Sequence, residues 1–342
     1  MKASFFTKPG QFEYRDTELP QVGAAEVLIR NKICGICGTD VHIFHGEPGS
    51  ADVNPPVILG HEYAGEVVAV GEAVTSLRPG DHVTVDPNIY CGQCEYCRNG
   101  KKQLCKRMQA VGVTQNGGFA EYSVVPESQA FFIREDVPYE YAAMTEPLAC
   151  CLHGIDLAEI KPGNTVLIVG GGAIGLILLQ LSKLAGAGRL VLSEPNERRR
   201  AIAEKLGADC TINPLESGAA EKYYAFTGSG ADVVIECAGN SASVQSAFSF
   251  AKKGAVIVLF SVPKPEAIYE LGLFDVFKKE LTIKGSFVNP DTHLRAATLI
   301  NSSKVSFSDI ITHTYKLHQL ADAIAMQTSA ESIKVVVDCT EE

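Results

Sequence analysis

The stretch that decides the fold is Thr165-Val-Leu-Ile-Val169, followed by Gly170-Gly171-Gly172-Ala173-Ile174-Gly175. Its first five residues form an apolar, β-branched run without alternation, which is typical of a strand buried on both faces. From Ala173 to Leu184, apolar side chains then recur at helical spacing. A buried strand, a glycine-rich turn and an amphipathic helix predict the first unit of a doubly wound parallel sheet.

The turn has the spacing G-x-G-x-x-G, and its strand and helix context indicates a dinucleotide-binding site. Gly170 permits the tight turn, Gly172 lets a pyrophosphate approach the backbone, and Gly175 lets the helix pack against the strand. Ala173 and Ile174 open the helix, whose free N–H groups and positive dipole end attract phosphate. These five residues are therefore candidate cofactor-binding residues.

Glu194 ends the next predicted strand, nineteen residues after Gly175. A carboxylate there accepts hydrogen bonds from ribose hydroxyls and repels a 2′-phosphate, which favours NAD over NADP. Arg199 lies in a run of three arginines just beyond and is a further candidate for cofactor binding. Because an arginine near this position accommodates a 2′-phosphate, NADP stays open.

The same alternation of strands and helices continues along the middle of the chain, as expected for a Rossmann-type sheet. The predicted strands are Arg189–Ser193, Cys210–Ile212, Asp232–Glu236 and Ala255–Phe260, and the predicted helices are Asn196–Leu206, Ala219–Phe226 and Ala242–Phe250. Gly207 follows the first of these helices as a C-terminal stop.

Both ends of the chain differ from this pattern. The first 145 residues carry short β-branched runs bounded by Gly, Pro or Asp, which indicates an irregular, mostly β domain. The last 55 residues predict helices at His293–Ile300 and Leu317–Gln327 and strands at Ile310–Tyr315 and Ile333–Val337. This last part either forms a tail on the nucleotide domain or completes the first domain.

Composition narrows the class of protein. The chain has 342 residues, a net charge of −10 and 46% apolar residues, which suits about two globular domains. The acidic balance argues against nucleic acid and anionic membranes as partners. No export signal and no apolar stretch long enough to span a bilayer is visible, so we expect a cytoplasmic protein.

Four of the eleven cysteines cluster within fifteen residues: Cys91, Cys94, Cys97 and Cys105. Clustered cysteines in a chain without an export signal more often bind a metal than form disulfides. Four thiolates close a tetrahedral shell and leave no position for substrate, so the cluster predicts a structural zinc site. An iron–sulfur cluster has the same ligand type but no other feature in its favour.

A second set of metal-ligating residue types is spread along the chain. Cys37 lies in Cys34-Gly-Ile-Cys37-Gly-Thr-Asp40, His61 and Glu62 lie in Gly60-His-Glu-Tyr-Ala-Gly65, and Glu146 lies in Thr145-Glu-Pro-Leu148. Spacing alone does not join these three places.

A family resemblance does join them. The block from Gly60 through Gly65 and Gly71 to Gly80-Asp-His-Val83 resembles the zinc signature of the medium-chain alcohol dehydrogenase superfamily. The segment Cys37-Gly-Thr-Asp-Val-His42, the cysteine cluster and the glycine turn are similar to that family too, in its order. Glu146-Pro-Leu148 is similar to the branch of sorbitol, other polyol and threonine dehydrogenases.

The resemblance implies specific roles. Cys37 and His61 would bind a catalytic zinc ion, with Glu62 or Glu146 completing its shell. Thr39 and His42 match a hydroxyl–imidazole relay that carries a proton away, and Asp40 is a candidate for orienting the metal ligands.

The resemblance also implies an architecture. Residues 1–145 and 286–342 would form a GroES-like, β-rich catalytic zinc domain, and residues 146–285 a Rossmann NAD-binding domain inserted between them. A homodimer or homotetramer is implied.

Zinc with three protein ligands keeps a position for water or a hydroxyl, and NAD takes up hydride. The implied reaction is therefore oxidation of a secondary alcohol, such as a polyol, a sugar alcohol or its phosphate, to a ketone or ketose. Gly285-Ser-Phe287 is followed by Val288 and Asn289, so the arginine that meets substrate hydroxyls in sorbitol dehydrogenases of the animal type is absent. Asn289 is a candidate replacement.

Three alternatives stay open. L-Threonine 3-dehydrogenase uses the same chemistry on an amino acid and is the nearest of them. A non-catalytic protein that binds zinc and nucleotide is more remote, because Cys37, His61 and Glu146 are all intact. A zinc-free quinone or enoyl reductase on the same fold would lack these ligands.

Overall fold

A computed structural model describes residues 1–49, 51–263 and 266–340. The chain divides into two compact units, one built from residues 1–149 and the segment from 289 onward, the other from Cys150–Val288.

The first unit is rich in β structure, and its elements come from both ends of the chain. Its strands are β1 (Lys2–Lys8), β2 (Gln11–Asp16), β3 (Glu26–Gly35), β4 (Val57–Ile58), β5 (Glu62–Val70), β6 (His82–Val85), β7 (Asn88–Ile89), β8 (Gln109–Ala110), β9 (Tyr122–Pro126) and β10 (Ala130–Ile133). Its helices are α1 (Gly38–Phe44), α2 (Glu95–Arg98) and α3 (Tyr139–Ala143), and α4 (Thr145–Ala158) begins in it.

The second unit alternates strands and helices. Its strands are β11 (Thr165–Val169), β12 (Arg189–Ser193), β13 (Cys210–Ile212), β14 (Ala231–Glu236), β15 (Ala251–Leu259) and β16 (Thr282–Gly285). Its helices are α5 (Ala173–Leu184), α6 (Glu197–Leu206), α7 (Ala219–Thr227), α8 (Ser241–Phe250) and α9 (Leu273–Lys279). The chain then adds α10 (His293–Asn301), β17 (Ile311–Lys316), α11 (Leu320–Gln327) and β18 (Lys334–Asp338) to the first unit.

The sheet of the second unit confirms the predicted fold class. Its strands run parallel in the order β13-β12-β11-β14-β15-β16, so β11 lies at the centre and the strand order reverses beside it. This is the strand order of the Rossmann fold, in which ligands bind beyond the carboxyl ends of the strands at the point of reversal. All five residues of β11 are buried, as the unbroken apolar run predicts.

Local signals explain where the helix after β12 begins and ends. Asn196 precedes α6, and its side chain accepts a hydrogen bond from the Arg199 backbone N–H at 3.2 Å. Gly207 follows α6 with φ of 107°, a left-handed conformation that glycine adopts without a Cβ penalty. The predicted stop at Gly207 is therefore confirmed.

The main sheet of the first unit resolves the alternative left open for the last 55 residues. It runs β10-β6-β5-β3-β18-β17, with β9 also paired to β3. Because β18 pairs antiparallel with β3, the last segment completes the first unit and is not a tail on the second. The segment predicted as a helix from Leu317 starts as a 3₁₀ turn over Leu317–Gln319 and becomes α-helical at Leu320.

Among residues 1–49, 51–263 and 266–340, no helix combines the length and the apolar character needed to cross a bilayer.

Candidate functional site

Cys37 lies at the entrance of α1, immediately after the turn that leaves β3. Its backbone N–H donates to Asp40 Oδ2 at 2.9 Å, so the side chain of Asp40 reaches back over the first helical turn. Asp40 itself is fully buried. This local bond fixes the backbone from which the Cys37 thiol projects.

His61 and Glu62 are placed by the start of β5, where Glu62 stands opposite Gly35 of β3. The preceding residue, Gly60, has φ of +91°, and a Cβ there would lie 2.7 Å from Cys34 Sγ and 2.9 Å from the ring of Phe119. Only glycine fits this turn, which delivers both side chains to the same buried place.

The side chains of Cys37, His61 and Glu62 converge, and their ligand atoms all lie within 4.8 Å of one another. We call these three residues the cage. Sulfur, nitrogen and oxygen donors in a three-residue set match the ligands of zinc in sites that keep a fourth position open. His61 Nδ1 lies 3.6 Å from Asp40 Oδ1, and neither atom has a hydrogen-bond partner among the described residues. A carboxylate behind a histidine is the usual support of a metal-ligating imidazole.

The charges around the cage favour a cation inside it. Burial alone would lower the pKa of the His61 imidazole, but Asp40 and Cys37 outweigh burial and hold that pKa well above its usual range. The same negative charges would stabilise a divalent ion. The donor set and the electrostatics therefore both fit zinc.

Lys334 is a residue of this site that the sequence analysis did not single out. Its side chain is buried, and its Nζ donates to the Ile36 carbonyl at 2.9 Å and to Glu62 Oε2. Burial on its own would lower the pKa of the Lys334 ammonium, but Glu62 and Cys37 outweigh it and raise that pKa above its usual value. The available signal was a lysine inside an apolar strand, because lysine is rarely buried without a partner.

Glu146 lies in the first turn of α4 and is buried, with 6% of its surface exposed. Its carboxylate contributes to the negative potential at Lys334. Among the described residues, however, the group that could share one ion contains Glu62 and not Glu146. Of the two acids that the sequence left as alternatives, Glu62 is the one that the structure places beside Cys37 and His61.

The two residues predicted for a proton relay, Thr39 and His42, both lie on α1. Thr39 is half-buried, two residues after Cys37. His42 Nδ1 lies 2.5 Å from Glu47 Oε2, and both of these side chains are partly exposed. The imidazole is thus oriented by an acid that the sequence analysis did not include.

The cysteine cluster converges as predicted. The Sγ atoms of Cys91, Cys94, Cys97 and Cys105 all lie within 4.8 Å of one another. Cys97 Sγ lies 4.0 Å from Cys91 Sγ and 3.6 Å from Cys94 Sγ. Four thiolates at about 2.3 Å from one zinc ion would stand about 3.8 Å apart in a tetrahedron. Backbone N–H groups lower the pKa of the Cys91 thiol to about 6 and also lower that of Cys94, which favours the thiolate that metals bind. Desolvation raises the pKa of the Cys97 thiol to about 12, so that thiol would lose its proton only when a metal binds.

The glycine turn has the geometry of a phosphate cradle. Gly170 has φ of +107°, and a Cβ on Gly175 would lie 1.8 Å from the Gly170 carbonyl oxygen. At Gly172, by contrast, a Cβ would meet nothing within 4 Å. The space above Gly172, beside the first residues Ala173 and Ile174 of α5, is therefore free for a pyrophosphate.

Glu194 is buried at the end of β12 and is tied to the glycine turn. Its Oε2 accepts from the Gly171 N–H at 2.6 Å, and its Oε1 accepts from the Asn196 N–H at 2.8 Å. Arg200 Nη1 donates to the carbonyls of Glu194 and Pro195 at 2.9 and 2.7 Å. Arg199 lies in the first turn of α6.

Glu236 is a second buried acid at this edge of the sheet, and the sequence analysis missed it. It ends β14, where its Oε1 accepts from the N–H groups of Ala238 and Gly239, each at 2.8 Å. Its Oε2 accepts from Ser261 Oγ at 2.5 Å, which ties the loop after β14 to the loop after β15. Glu236 thus shapes the edge beyond the carboxyl ends of the strands.

The suggestion that Asn289 could meet a substrate hydroxyl is wrong. Asn289 is fully buried, its Oδ1 accepts from Asn88 Nδ2, and its Nδ2 donates to Asp86 at 3.3 Å. Burial raises the pKa of the Asp86 carboxyl to about 6. The amide of Asn289 is used inside the protein and is not offered to a ligand.

Comparison with known proteins identifies the family. A model of the alcohol dehydrogenase GroES-like domain matches residues 23–135, and a model of the zinc-binding dehydrogenase matches residues 173–302. D-arabinitol dehydrogenase 1 of Uromyces fabae is 33% identical over 341 residues, which are 98% of this chain and 97% of that protein. The chain belongs to the zinc-dependent medium-chain dehydrogenase superfamily.

Other members are similar over most of their length. L-Threonine 3-dehydrogenase of Caldanaerobacter subterraneus subsp. tengcongensis is 35% identical over 94% of this chain and 93% of its own. A crystal structure from Sinorhizobium meliloti 1021, described as a zinc-binding dehydrogenase bound to NADP, is 40% identical with a TM-score of 0.93 and covers 98% of both chains. The predicted family, the GroES-like plus Rossmann fold class and the assignment as a dehydrogenase are confirmed.

Proposed function

We propose that this medium-chain dehydrogenase uses NAD to oxidise a secondary alcohol to a ketone or ketose. The alcohol is a polyol, a sugar alcohol or the phosphate of a sugar alcohol. The observation that carries the proposal is the cage, in which Cys37, His61 and Glu62 bring three different donor atoms within 4.8 Å of one another. A structural zinc site has four protein ligands and no open position, whereas a catalytic site has three protein ligands. The three donors of the cage therefore favour a catalytic zinc site over a protein that only binds zinc and nucleotide.

The roles of the residues follow from their positions. Cys37, His61 and Glu62 would hold a catalytic zinc ion, and Asp40 would orient His61 from behind. When bound, zinc lowers the pKa of a coordinated hydroxyl, and NAD accepts the hydride. Glu146 contributes negative charge to the same buried region and would reach the metal through water.

A proton must leave the site when the hydroxyl is oxidised. Thr39 and His42 are on one helix three residues apart, and residues at this spacing lie on the same face. Glu47 holds the His42 ring through Nδ1, which leaves the other ring nitrogen to exchange a proton. We assign the relay to Thr39 and His42, with Glu47 as the acid that orients the imidazole.

The other sites support this chemistry. The cysteine cluster Cys91, Cys94, Cys97 and Cys105 would hold a structural zinc ion. Gly170, Gly172, Ala173, Ile174, Gly175, Glu194 and Arg199 would bind NAD. The first unit would be the catalytic domain and the second the nucleotide domain, with boundaries near residues 149 and 289.

The substrate class rests on the relatives, which include both a polyol dehydrogenase and a threonine dehydrogenase. The test is to follow NADH absorbance at 340 nm while the enzyme is offered a panel of pentitols, hexitols, their phosphates, L-threonine and simple alcohols. Turnover with one polyol class supports the proposal. Turnover with L-threonine alone would instead identify the enzyme as an L-threonine 3-dehydrogenase. No turnover with any alcohol would favour the alternative of a non-catalytic protein that binds zinc and nucleotide.

The choice of cofactor gives a separate prediction. The carboxylate of Glu194 would repel a 2′-phosphate, so NAD should be preferred, although the Sinorhizobium relative was solved with NADP. Glu194→Gln keeps one acceptor oxygen but removes the charge, and it should raise kcat/KM for NADP relative to NAD by about tenfold or more. Steady-state kinetics with both cofactors measure this ratio. An unchanged ratio would remove Glu194 from cofactor selection.

The assembly is a further part of the proposal. Helix α9 has no buried residue, and Leu273, Phe274 and Phe277 are 77%, 68% and 78% exposed. Contiguous exposed apolar surface usually marks an interface, and Asp275 and Lys278 on the same helix could pair across a two-fold axis. We infer that a second copy of the chain covers this surface, as in a homodimer or homotetramer.

Phe277→Asp should therefore reduce the size of the particle in solution, because it buries a charge in the interface. Size-exclusion chromatography with light scattering gives the measurement. Leu215→Asp is a matched control, since Leu215 is 80% exposed and follows β13 at the opposite edge of the sheet. If both variants keep the wild-type mass, α9 is not the interface.

A further inference from the structure

Three neighbouring strands bring Lys334 to the cage. Gly35 of β3 stands opposite Glu62 of β5 on one side and opposite Val336 of β18 on the other. Lys334 is two residues before Val336 in the same strand, so its side chain projects from the same face of the sheet. The lysine therefore reaches diagonally across β3 to the Glu62 carboxylate.

Gly35 leaves the space for this contact. A Cβ at Gly35 would lie 2.4 Å from Glu62 Oε2 and 3.0 Å from Lys334 Cε. Both side chains of the pair are almost fully buried, at 5% exposure for Lys334 and 3% for Glu62. A missing side chain on the central strand thus makes room for a charged pair in the interior.

The charges near Lys334 explain what the ammonium does. Glu62, Cys37 and Glu146 all contribute negative potential at Lys334. Buried charges are tolerated only when they are paired and hydrogen-bonded. Glu62 and Glu146 are two carboxylates near one lysine, so the ammonium neutralises only part of their charge, and a divalent ion held by the cage would balance the rest.

We propose that Lys334 is a positioning residue of the cage: its ammonium holds one oxygen of Glu62 in place and partly neutralises the cage before the metal enters. Because the ammonium stands beside the place a divalent ion would take, it also opposes metal binding. Lys334 would thus keep the metal-free protein stable while it weakens the affinity for zinc. This inference rests on the zinc site proposed above.

The test compares Lys334→Met with the wild type in metal-free and zinc-loaded form. Methionine has a similar length and no charge. The metal-free variant should melt at a lower temperature, because Glu62 loses its partner. Its cage should bind zinc roughly tenfold more tightly or better, since a unit charge within a few ångströms of a divalent ion outweighs a tenfold change in binding. The difference in melting temperature between the zinc-loaded and the metal-free form should therefore be larger for Lys334→Met than for the wild type.

Zinc affinity is measured by competition with a chromophoric chelator. The Cys37→Ser variant, which should keep only the cysteine-cluster site, supplies the reference for that site. Lys334→Arg keeps the charge and should restore both the metal-free stability and the wild-type affinity. The double variant Glu62→Gln with Lys334→Met removes both charges and should regain metal-free stability relative to Lys334→Met.

Distinct outcomes would overturn the proposal. Equal losses of melting temperature with and without zinc, at unchanged affinity, would make Lys334 an ordinary core residue. Weaker zinc binding in Lys334→Met would make it a support for the metal. If Lys334→Met does not fold, the double variant Glu62→Gln with Lys334→Met provides the test. A folded double variant supports the charged pair of Glu62 and Lys334, and a double variant that does not fold contradicts it. Wild-type protein that binds zinc only at the cysteine cluster would instead refute the proposed function.

Discussion

Replacing Cys37 by serine should lower kcat/KM for the alcohol substrate by about a thousandfold or more and remove one zinc ion per chain. Cys37 supplies the sulfur donor of the cage, and a neutral hydroxyl is a poor substitute for a thiolate. Metal-assisted stabilisation of developing charge contributes several kcal/mol, and about 1.4 kcal/mol corresponds to a tenfold change in rate. Kinetics and metal analysis on the same preparation give both numbers.

A matched control for this variant is Cys210→Ser, which exchanges the same atoms at a half-buried cysteine on β13. It should keep the full zinc content and the full activity. If Cys37→Ser retained both zinc ions and wild-type kcat/KM, the cage would not be the catalytic centre.

Replacing Gly172 by valine should raise the KM for NAD by about a thousandfold while leaving the melting temperature nearly unchanged. Gly172 has φ of −70°, which every residue adopts, and a Cβ there meets nothing within 4 Å. The new side chain would occupy the space assigned to the pyrophosphate. Loss of two hydrogen bonds to a charged group, at about 2 kcal/mol each, gives an effect of this size.

Two further variants control for this effect. Gly172→Ala should show a smaller rise in KM, because alanine intrudes less. Gly175→Ala should instead lower the melting temperature, since its Cβ would collide with the Gly170 carbonyl at 1.8 Å. A Gly172→Val enzyme with the wild-type KM for NAD would place the cofactor elsewhere.

The Rossmann unit could be predicted closely from sequence because its signals are local. The apolar run Thr165–Val169 and the helical spacing from Ala173 to Leu184 each report one element, and both elements have the predicted bounds. Where the prediction differs, tertiary pairing is the reason. β15 begins at Ala251, four residues before the predicted strand, because it pairs with β14 from its first residue.

The first unit could not be predicted in the same way. Cys37, His61 and Glu62 come together through the pairing of β3 with β5, and no local period reports such a pairing. Only the resemblance to a family joined them. The cysteine cluster was easier, since its four residues are close in sequence and their type alone indicates a metal.

Lys334 and Asn289 illustrate side-chain contacts that could not be predicted from the sequence. Lys334 is more than 270 positions from Glu62 in sequence, and their contact depends on the last strand returning to β3. Asn289 was expected to face a ligand because it follows a family segment, but its amide is used by Asn88 and Asp86. A polar residue near a site is often part of the structure that supports the site.

The most direct test of the catalytic zinc site is the zinc content per chain, followed together with alcohol-dependent NADH formation while a chelator removes metal. We expect two zinc ions per chain. Loss of the zinc ion held by the cage should coincide with loss of activity, and added zinc should restore both. One zinc ion per chain, or full turnover after the cage has lost its metal, would contradict the assignment of Cys37, His61 and Glu62 as the catalytic centre.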